Sequence, residues 1–274
     1  MRLLLALTLA LIATSAAAQD RRPSHCIAVA EADPAMTYVQ LASFRDPVEA
    51  FDVRITYIDH SMFLIQSEDG TDAMTDFTGF YGNVDFLPDV VTMNNAHSTH
   101  WTQFPDPAIP HVLEGWASTE GPKEHYLDLG GMLVRNIHTD IRDFSGTRVR
   151  RNGNSIFVFE VAGLCIGHLG HLHHEPDDNQ YAAIGRLDVV MVAVDGGLTL
   201  DHASVVQIME RLRSSVVIPM HWFGRGTLDR FLLAMGDSGF AVDRVNAPSL
   251  TLSLRDLPDR PTVMVLEPAF LSEE

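Results

Sequence analysis

From Val53 onward the chain is built of short apolar runs separated by turn residues. Residues 54–57 and 62–66 are rich in apolar and β-branched side chains, which predicts two strands. Glu68-Asp69-Gly70 reads as a turn, and residues 73–75 form a short run leading into Asp76. Residues 90–93 follow Pro88-Asp89 as a further strand. Residues 155–161 alternate, Gly163 interrupts them, and 164–166 resume; residues 189–194 are one continuous apolar strand. A helix follows, with Thr199 or Asp201 as its cap and Val205, Ile208, Met209 and Leu212 at helical spacing. A strand at 216–219, a second helix at 227–235 stopped by Gly236, an alternating strand through Leu250, Leu252 and Leu254, and a last strand at 262–266 complete the pattern. Between 105 and 152 the periodicity is weak and Pro105, Pro107 and Pro110 intervene. That stretch reads as a long surface excursion, a loop over a site. Strands with helices between them predict mixed α/β layers.

The first 18 residues stand apart. Arg2 gives a positive start, residues 3–12 are apolar or small, and Ala16-Ala17-Ala18 offers a small-residue cleavage site, the pattern of a secretory signal peptide. The apolar run is too short for a stable membrane span. Cleavage is expected after Ala18, leaving residues 19–52 as an N-terminal extension, interrupted by Pro23, Pro34 and Pro47, that packs on one domain at 53–274. The expected location is periplasmic or secreted, with no membrane insertion after cleavage.

Composition narrows the partners. Apolar residues make up 46% of the chain, enough for a sizeable core, and 36 acidic against 19 basic residues remove the footprint of a nucleic-acid binder. The expected partner is a small-molecule substrate; oligomeric state is not legible. Cys26 and Cys165 are the two cysteines. Export permits a disulfide, and a buried strand cysteine at position 165 is the other reading; the sequence leaves both open.

Thirteen histidines are distributed unevenly. His97 and His100 follow the strand at 90–93; His168, His171, His173 and His174 follow 164–166; His221 follows 216–219. Loops at strand ends are where a rigid sheet positions functional groups, and neutral imidazole suits zinc and other borderline metals. Any one of these histidines alone reads as a surface residue. Three strand-end clusters together point to a metal site.

Four segments extend this reading. Ile55-Thr-Tyr-Ile-Asp-His-Ser-Met-Phe-Leu-Ile65, then Asp76, then His168-Leu-Gly-His-Leu-His-His174, then Ile218-Pro-Met-His221 resemble, in that order, landmarks of the metallo-β-lactamase superfamily, especially its branch similar to the ascorbate-lactone hydrolase. The resemblance covers residues 53–266. It implies an α/β fold, the αββα sandwich of two mixed β-sheets flanked by helices.

The family's ligand motif H-x-H-x-D-H corresponds here to Asn95-Ala-His97-Ser-Thr99-His100, and the bridging Asp of H-L-G-D to His171. By position, Asn95, His97 and His168 match the first metal pocket, and His100, His171 and His221 the second. Thr99 cannot replace a carboxylate, and an imidazole cannot bridge two metals as a carboxylate does. One ion is therefore expected, zinc, with manganese or iron as alternatives, held by His100, His171 and His221 while His97 and His168 share the cavity. His60, at the family's place near the metals, is a candidate to orient water or substrate, and Asp59 a candidate acid or a turn residue. His174 is a rim candidate and His173 is expected to face solvent. Trp101 and Trp222 either wall the pocket or pack the fold. The implied activity is an exported hydrolase that uses metal-bound hydroxide on an ester, lactone, amide or phosphoester. The competing reading is a catalytically inactive metal- or ligand-binding periplasmic protein that kept the fold. A redox or sulfur-handling role ranks last, since it wants the missing bridging carboxylate.

Overall fold

The computed structural model describes residues 21–27, 43–143, 145 and 149–273. The expected signal peptide and its cleavage point lie outside the described residues, as does part of the N-terminal extension.

Alternating and continuous apolar runs become two face-to-face sheets. The smaller contains β1 (Asp52–Asp59), β2 (Met62–Ser67), β3 (Asp72–Met74), β4 (Val90–Met93), β5 (His111–Glu114) and β13 (Ser249–Ser253), in the order β13-β1-β2-β3-β4-β5. The larger contains β6 (Tyr126–Asp128), β7 (Met132–Arg142), β8 (Val149–Val161), β9 (Leu164–His168), β10 (Val189–Ala193), β11 (Val216–Met220), β12 (Ala241–Arg244) and β14 (Thr262–Val265), in the order β12-β14-β11-β10-β9-β8-β7-β6. Both sheets are mixed. β3, β4 and β5 run parallel beside antiparallel neighbours, and β9, β10, β11, β14 and β12 form a parallel block beside the antiparallel β6–β9 meander.

The sheets meet through Ile55, Phe63 and Ile65 on one side and Phe157, Phe159, Met191 and Ile218 on the other, all fully buried. Each such side chain contributes about 1.5–3 kcal/mol of burial. β10 is buried on both faces, which is why it is a continuous apolar run rather than an alternating one.

Three helices are present among the described residues: α1 (Asp178–Ile184), α2 (His202–Leu212) and α3 (Arg225–Asp237). Asp201 caps α2, accepting from the Ser204 amide at 3.0 Å. All three helices pack on the outer face of the larger sheet, through Ile184, Val205, Ile208, Met209, Leu228 and Phe231. The outer face of the smaller sheet, with Leu64, Met74 and Met93, is covered by Phe44, Phe77, Ile109 and Leu271 from irregular chain. The sandwich is that of the expected family, with helices on one flank among the described residues.

The stretch 105–152 is not the structureless excursion its pattern suggests: it holds β5, β6, β7 and the start of β8. β7 escaped notice because it buries polar residues. Arg135, 5% exposed, pairs with Glu160 of β8 at 2.9 Å and donates to the Ala183 and Ile184 carbonyls, and the neighbouring Asn136 is also buried. Buried charges that are paired and fully hydrogen-bonded are tolerated in a core, but they erase the apolar signature.

The described parts of the extension pack on the domain. Phe44 accepts from Gln66, Ser43 accepts from Arg54, and the His25 amide donates to Glu160. Cys26 and Cys165 form a disulfide with Cα atoms 5.8 Å apart, an ordinary separation for such a bond. The link ties the extension to β9, the strand that ends in His168.

Candidate metal centre

The site sits at the ends of β1, β4, β9, β10 and β11, where the sheets open on one side of the sandwich. Backbone geometry there is unusual. His60, Asp76 and His221 all have positive φ, at +46°, +43° and +57°. Each such non-glycine residue costs on the order of 1–3 kcal/mol, and the surrounding contacts must hold it. For His60 and His221 they are visible: the His60 carbonyl accepts from the His221 amide at 2.8 Å and from the Tyr57 hydroxyl at 2.6 Å. That pair of bonds locks the β1–β2 turn onto the end of β11.

His60, His100 and His221 each offer one nitrogen to a common point, these atoms lying within 4.8 Å of one another. The His60 and His221 ring centroids are 4.0 Å apart, and those of His100 and His221 5.1 Å. The Nε2 atoms of His60 and His100 are buried and have no hydrogen-bond partner.

Two carboxylates stand behind these rings. Asp76, fully buried, accepts from the Asn94 amide at 3.0 Å and lies 2.6 Å from His100 Nδ1. Asp195, just past β10, lies 3.0 Å from His221 Nδ1 and accepts from the Gly197 amide and the Thr199 hydroxyl. A carboxylate on Nδ1 fixes ring orientation and leaves the opposite nitrogen as an acceptor, the usual outer support of a metal-binding histidine.

Electrostatics agree with a waiting cation. Burial pushes the Asp76 carboxyl up from the ordinary range, against the pull of His168 and the Asn94 and Ser61 hydrogen bonds. Burial would raise Asp195 too, but the close approach of His221 and the hydrogen bonds from Thr199 and Gly197 prevail and hold it low. Neither carboxylate forms an ion pair with a lysine or arginine among the described residues. Desolvation by burial, then the neighbouring histidines, lower His60 to about 3 and His171 to about 2; burial likewise drives His100 well down. Neutral imidazoles over buried carboxylates that have no lysine or arginine partner among the described residues fit a divalent cation, and three nitrogen ligands with an open position form a competent catalytic zinc site.

The other sequence candidates fall into three groups. His171, His97 and Asn95 line the same cavity of about 720 Å³, together with Ile141, Leu198 and Phe223. His171 is 4.8 Å from His100 between ring centroids but stands outside the tight cluster, its Nδ1 bonded to His173 Nε2 at 2.6 Å. His97 is exposed and bonds Thr99 at 3.0 Å.

His168 is buried beneath the cavity and both its nitrogens are occupied. Nε2 lies 2.8 Å from the Ser61 carbonyl, and Nδ1 accepts from the Gly170 amide at 3.2 Å, with Asn94 Nδ2 at 3.1 Å. Gly170 makes this turn feasible: at φ +61° a Cβ there would lie 2.5–2.6 Å from Asn94 and Asn154 side-chain atoms. His168 therefore holds the β9 turn in place and offers no nitrogen to an ion.

Asp59, the last residue of β1, is exposed and does not line the cavity. His173 is half-buried against β7 rather than solvent-facing, and His174 Nε2 accepts from the Asp140 amide at 3.1 Å. Trp101 packs with Trp116 on the smaller sheet, and Trp222 packs between the two larger core clusters. Sequence reasoning missed Asp195 and Asn94. Asp195 did carry a signal, an acid directly after an apolar strand in the same layer as the histidine-ended ones.

Comparison with known proteins identifies the family of this fold. A family model described as the beta-lactamase superfamily domain matches residues 54–221. A UPF0173 protein of Pyrococcus abyssi (strain GE5 / Orsay) is 24% identical over 200 residues, 65% of this chain and 89% of its own length. Among solved structures, a Thermotoga maritima protein of the metallo-beta-lactamase superfamily is similar at TM-score 0.56 and 25% identity, over 78% of this chain and 98% of that one. A metallo hydrolase from Ignicoccus hospitalis KIN4/I has the same fold at TM-score 0.55 and 16% identity, over 74% of this chain and 99% of that one. The chain belongs to the β-lactamase superfamily and has the fold of its metal-dependent hydrolases.

Proposed function

We propose that this chain is an exported metal-dependent hydrolase that cleaves an ester, lactone, amide or phosphoester bond of a small molecule, with one zinc-type ion held by His60, His100 and His221. The observation that carries the reading is the pair of buried carboxylates, Asp76 and Asp195, each set behind a histidine and neither balanced by a basic side chain among the described residues. Buried charges are paired or sit next to metals. A metal bound there would activate water near neutral pH and polarise the substrate.

The chain's own groups supply the rest. Asp76 and Asp195 orient His100 and His221. Ser61 spans the site, its hydroxyl 3.0 Å from His100 Nδ1 and its carbonyl 2.8 Å from His168 Nε2. The face of Ile141, Leu198 and Phe223 gives an apolar seat for the substrate body. The Cys26–Cys165 disulfide supports an oxidising, extracytoplasmic location, as does the expected signal peptide.

The test is metal content of protein purified without added metal, followed by esterase and phosphodiesterase screens of the loaded protein. About one ion per chain with turnover is the expected result. Bound metal with no turnover on any bond class would support the binding-protein alternative, and absence of metal after zinc or manganese incubation would contradict the ligand set.

A further inference from the structure

The stretch from His171 to Arg142 fixes a proton that the hydrolase reading leaves unassigned. The Arg142 backbone N–H donates to His173 Nδ1 at 3.2 Å. A backbone amide cannot act as acceptor, so His173 Nδ1 carries no proton. His173 Nε2 lies 2.6 Å from His171 Nδ1, and one of these two nitrogens must donate. If His171 donated, His173 would have no proton on either nitrogen and would be an imidazolate. His173 Nε2–H is therefore the donor, His171 Nδ1 the acceptor, and the proton of neutral His171 stands on Nε2. A protonated nitrogen is no metal ligand. His171 lines the cavity beside His60 and His221.

The apolar lining of that cavity limits what the proton can meet. Ile141, Leu198 and Phe223 form it, the last two 50% and 66% exposed. Arg142 is the one arginine or lysine among the described lining residues, and its guanidinium donates to the His173 carbonyl at 2.9 Å and the Gly197 carbonyl at 3.1 Å. Asp143 lies beside it, in a chain of net charge −17. Beyond the charge of an ion bound at His60, His100 and His221, an anionic ligand finds no basic side chain directed at it there, whereas an uncharged ligand with an apolar body finds both a seat and a neutral N–H donor.

We propose that His171 binds no metal and instead presents Nε2–H to the carbonyl oxygen of an uncharged acyl substrate, an ester or lactone with an apolar group next to the carbonyl. The assignment rests on the hydrolase reading above. In the reaction, the oxygen of water bonds to the acyl carbon, the acyl carbon–oxygen bond breaks, and the proton goes to the departing oxygen. His171 would stabilise charge building on the carbonyl oxygen, as preorganised donors do in acyl transfer. Arg142 and His173 are positioning residues that act through its tautomer.

The direct test is nitrogen NMR of histidine-labelled protein with and without zinc, the His171 signals assigned by their loss in His171→Ala. The expected spectrum has His171 protonated on Nε2 in both states, while the signals of His60, His100 and His221 shift with zinc. Zinc affinity of His171→Ala should stay within about threefold of the unaltered protein, while His60→Ala loses it. On the zinc-loaded protein, His171→Ala should lower turnover of an uncharged aryl ester by about a hundredfold, and His171→Gln, which keeps an N–H donor, should recover part of it. Loss of the Nε2 proton on zinc addition, or loss of zinc in His171→Ala and His171→Gln alike, would overturn the assignment. Faster cleavage of a phosphodiester than of the ester would overturn the substrate class. Zinc-loaded protein that cleaves neither would contradict the hydrolase reading and with it the carbonyl partner, while the spectrum would still decide whether His171 is a ligand.

Discussion

The two sides of the histidine pocket are backed differently. Behind His100 and His221 stand buried carboxylates, Asp76 at 2.6 Å and Asp195 at 3.0 Å from the Nδ1 atoms. Behind His171 and His168 stand another imidazole and backbone groups: His173 with the Arg142 amide, and the Gly170 amide with the Ser61 carbonyl. A carboxylate accepts, so it draws the histidine proton to Nδ1 and frees Nε2 for a cation. A backbone amide donates, so it sends the proton to the far nitrogen. All four side chains are histidine, and on the proposed assignment the group behind each decides whether it is a ligand or a donor. This difference also accounts for a family motif that has lost two acidic positions, at Thr99 and His171, and still leaves a pocket suited to a cation. The carboxylates that remain lie behind the ligands rather than among them.

Removing a ligand from the carboxylate-backed side should have the largest effect. His221→Ala is expected to weaken zinc binding by more than about a hundredfold, above the range usual for outer partners, as read by titration against a competing chelator. Next come Asp76→Asn and Asp195→Asn, which keep the shape and remove the charge. Each should cost about 10–100-fold in zinc affinity, and no change in either would mean that the backing does not matter.

Acid should act on both sides through the fold itself. Burial lowers His60 to about 3, His171 to about 2 and His173 to about 4, while the unfolded chain protonates its histidines near 6.5. Between these values the unfolded state binds more protons, so stability falls as pH falls. The metal-free protein should melt progressively lower from about pH 6.5 toward pH 4, and a constant melting temperature over that window would contradict neutral burial. The smallest effect belongs to Asn95→Ala, which should change zinc affinity by no more than about threefold, since an amide is a poor ligand beside imidazole.

Sequence and structure agree where the physics is periodic. The runs that became β1, β2, β4, β10 and β11 were legible because each is apolar and buried, and α2 because its apolar stripe and its Asp201 cap coincide. β7 was illegible because Arg135 and Asn136 satisfy their polar groups inside the fold. α1 was missed because, of its seven residues, Ile184 is the buried one. At the site, the strand-end placement of the histidines was visible, but their division of labour was not. Motif position alone gives His60 a water-orienting role and His171 a metal-binding one. The close approach of His60 to His221 depends on a left-handed turn and a backbone bond between distant strands, and the tautomer of His171 depends on an amide of β7, 29 residues upstream. Neither leaves a local trace in the sequence.

Anomalous diffraction from crystals of the zinc-loaded protein tests the central claim most directly. The account predicts one zinc peak about 2.0–2.1 Å from a nitrogen of each of His60, His100 and His221, with His171 beyond bonding distance. A peak bonded to His171, with His60 turned away, would contradict it.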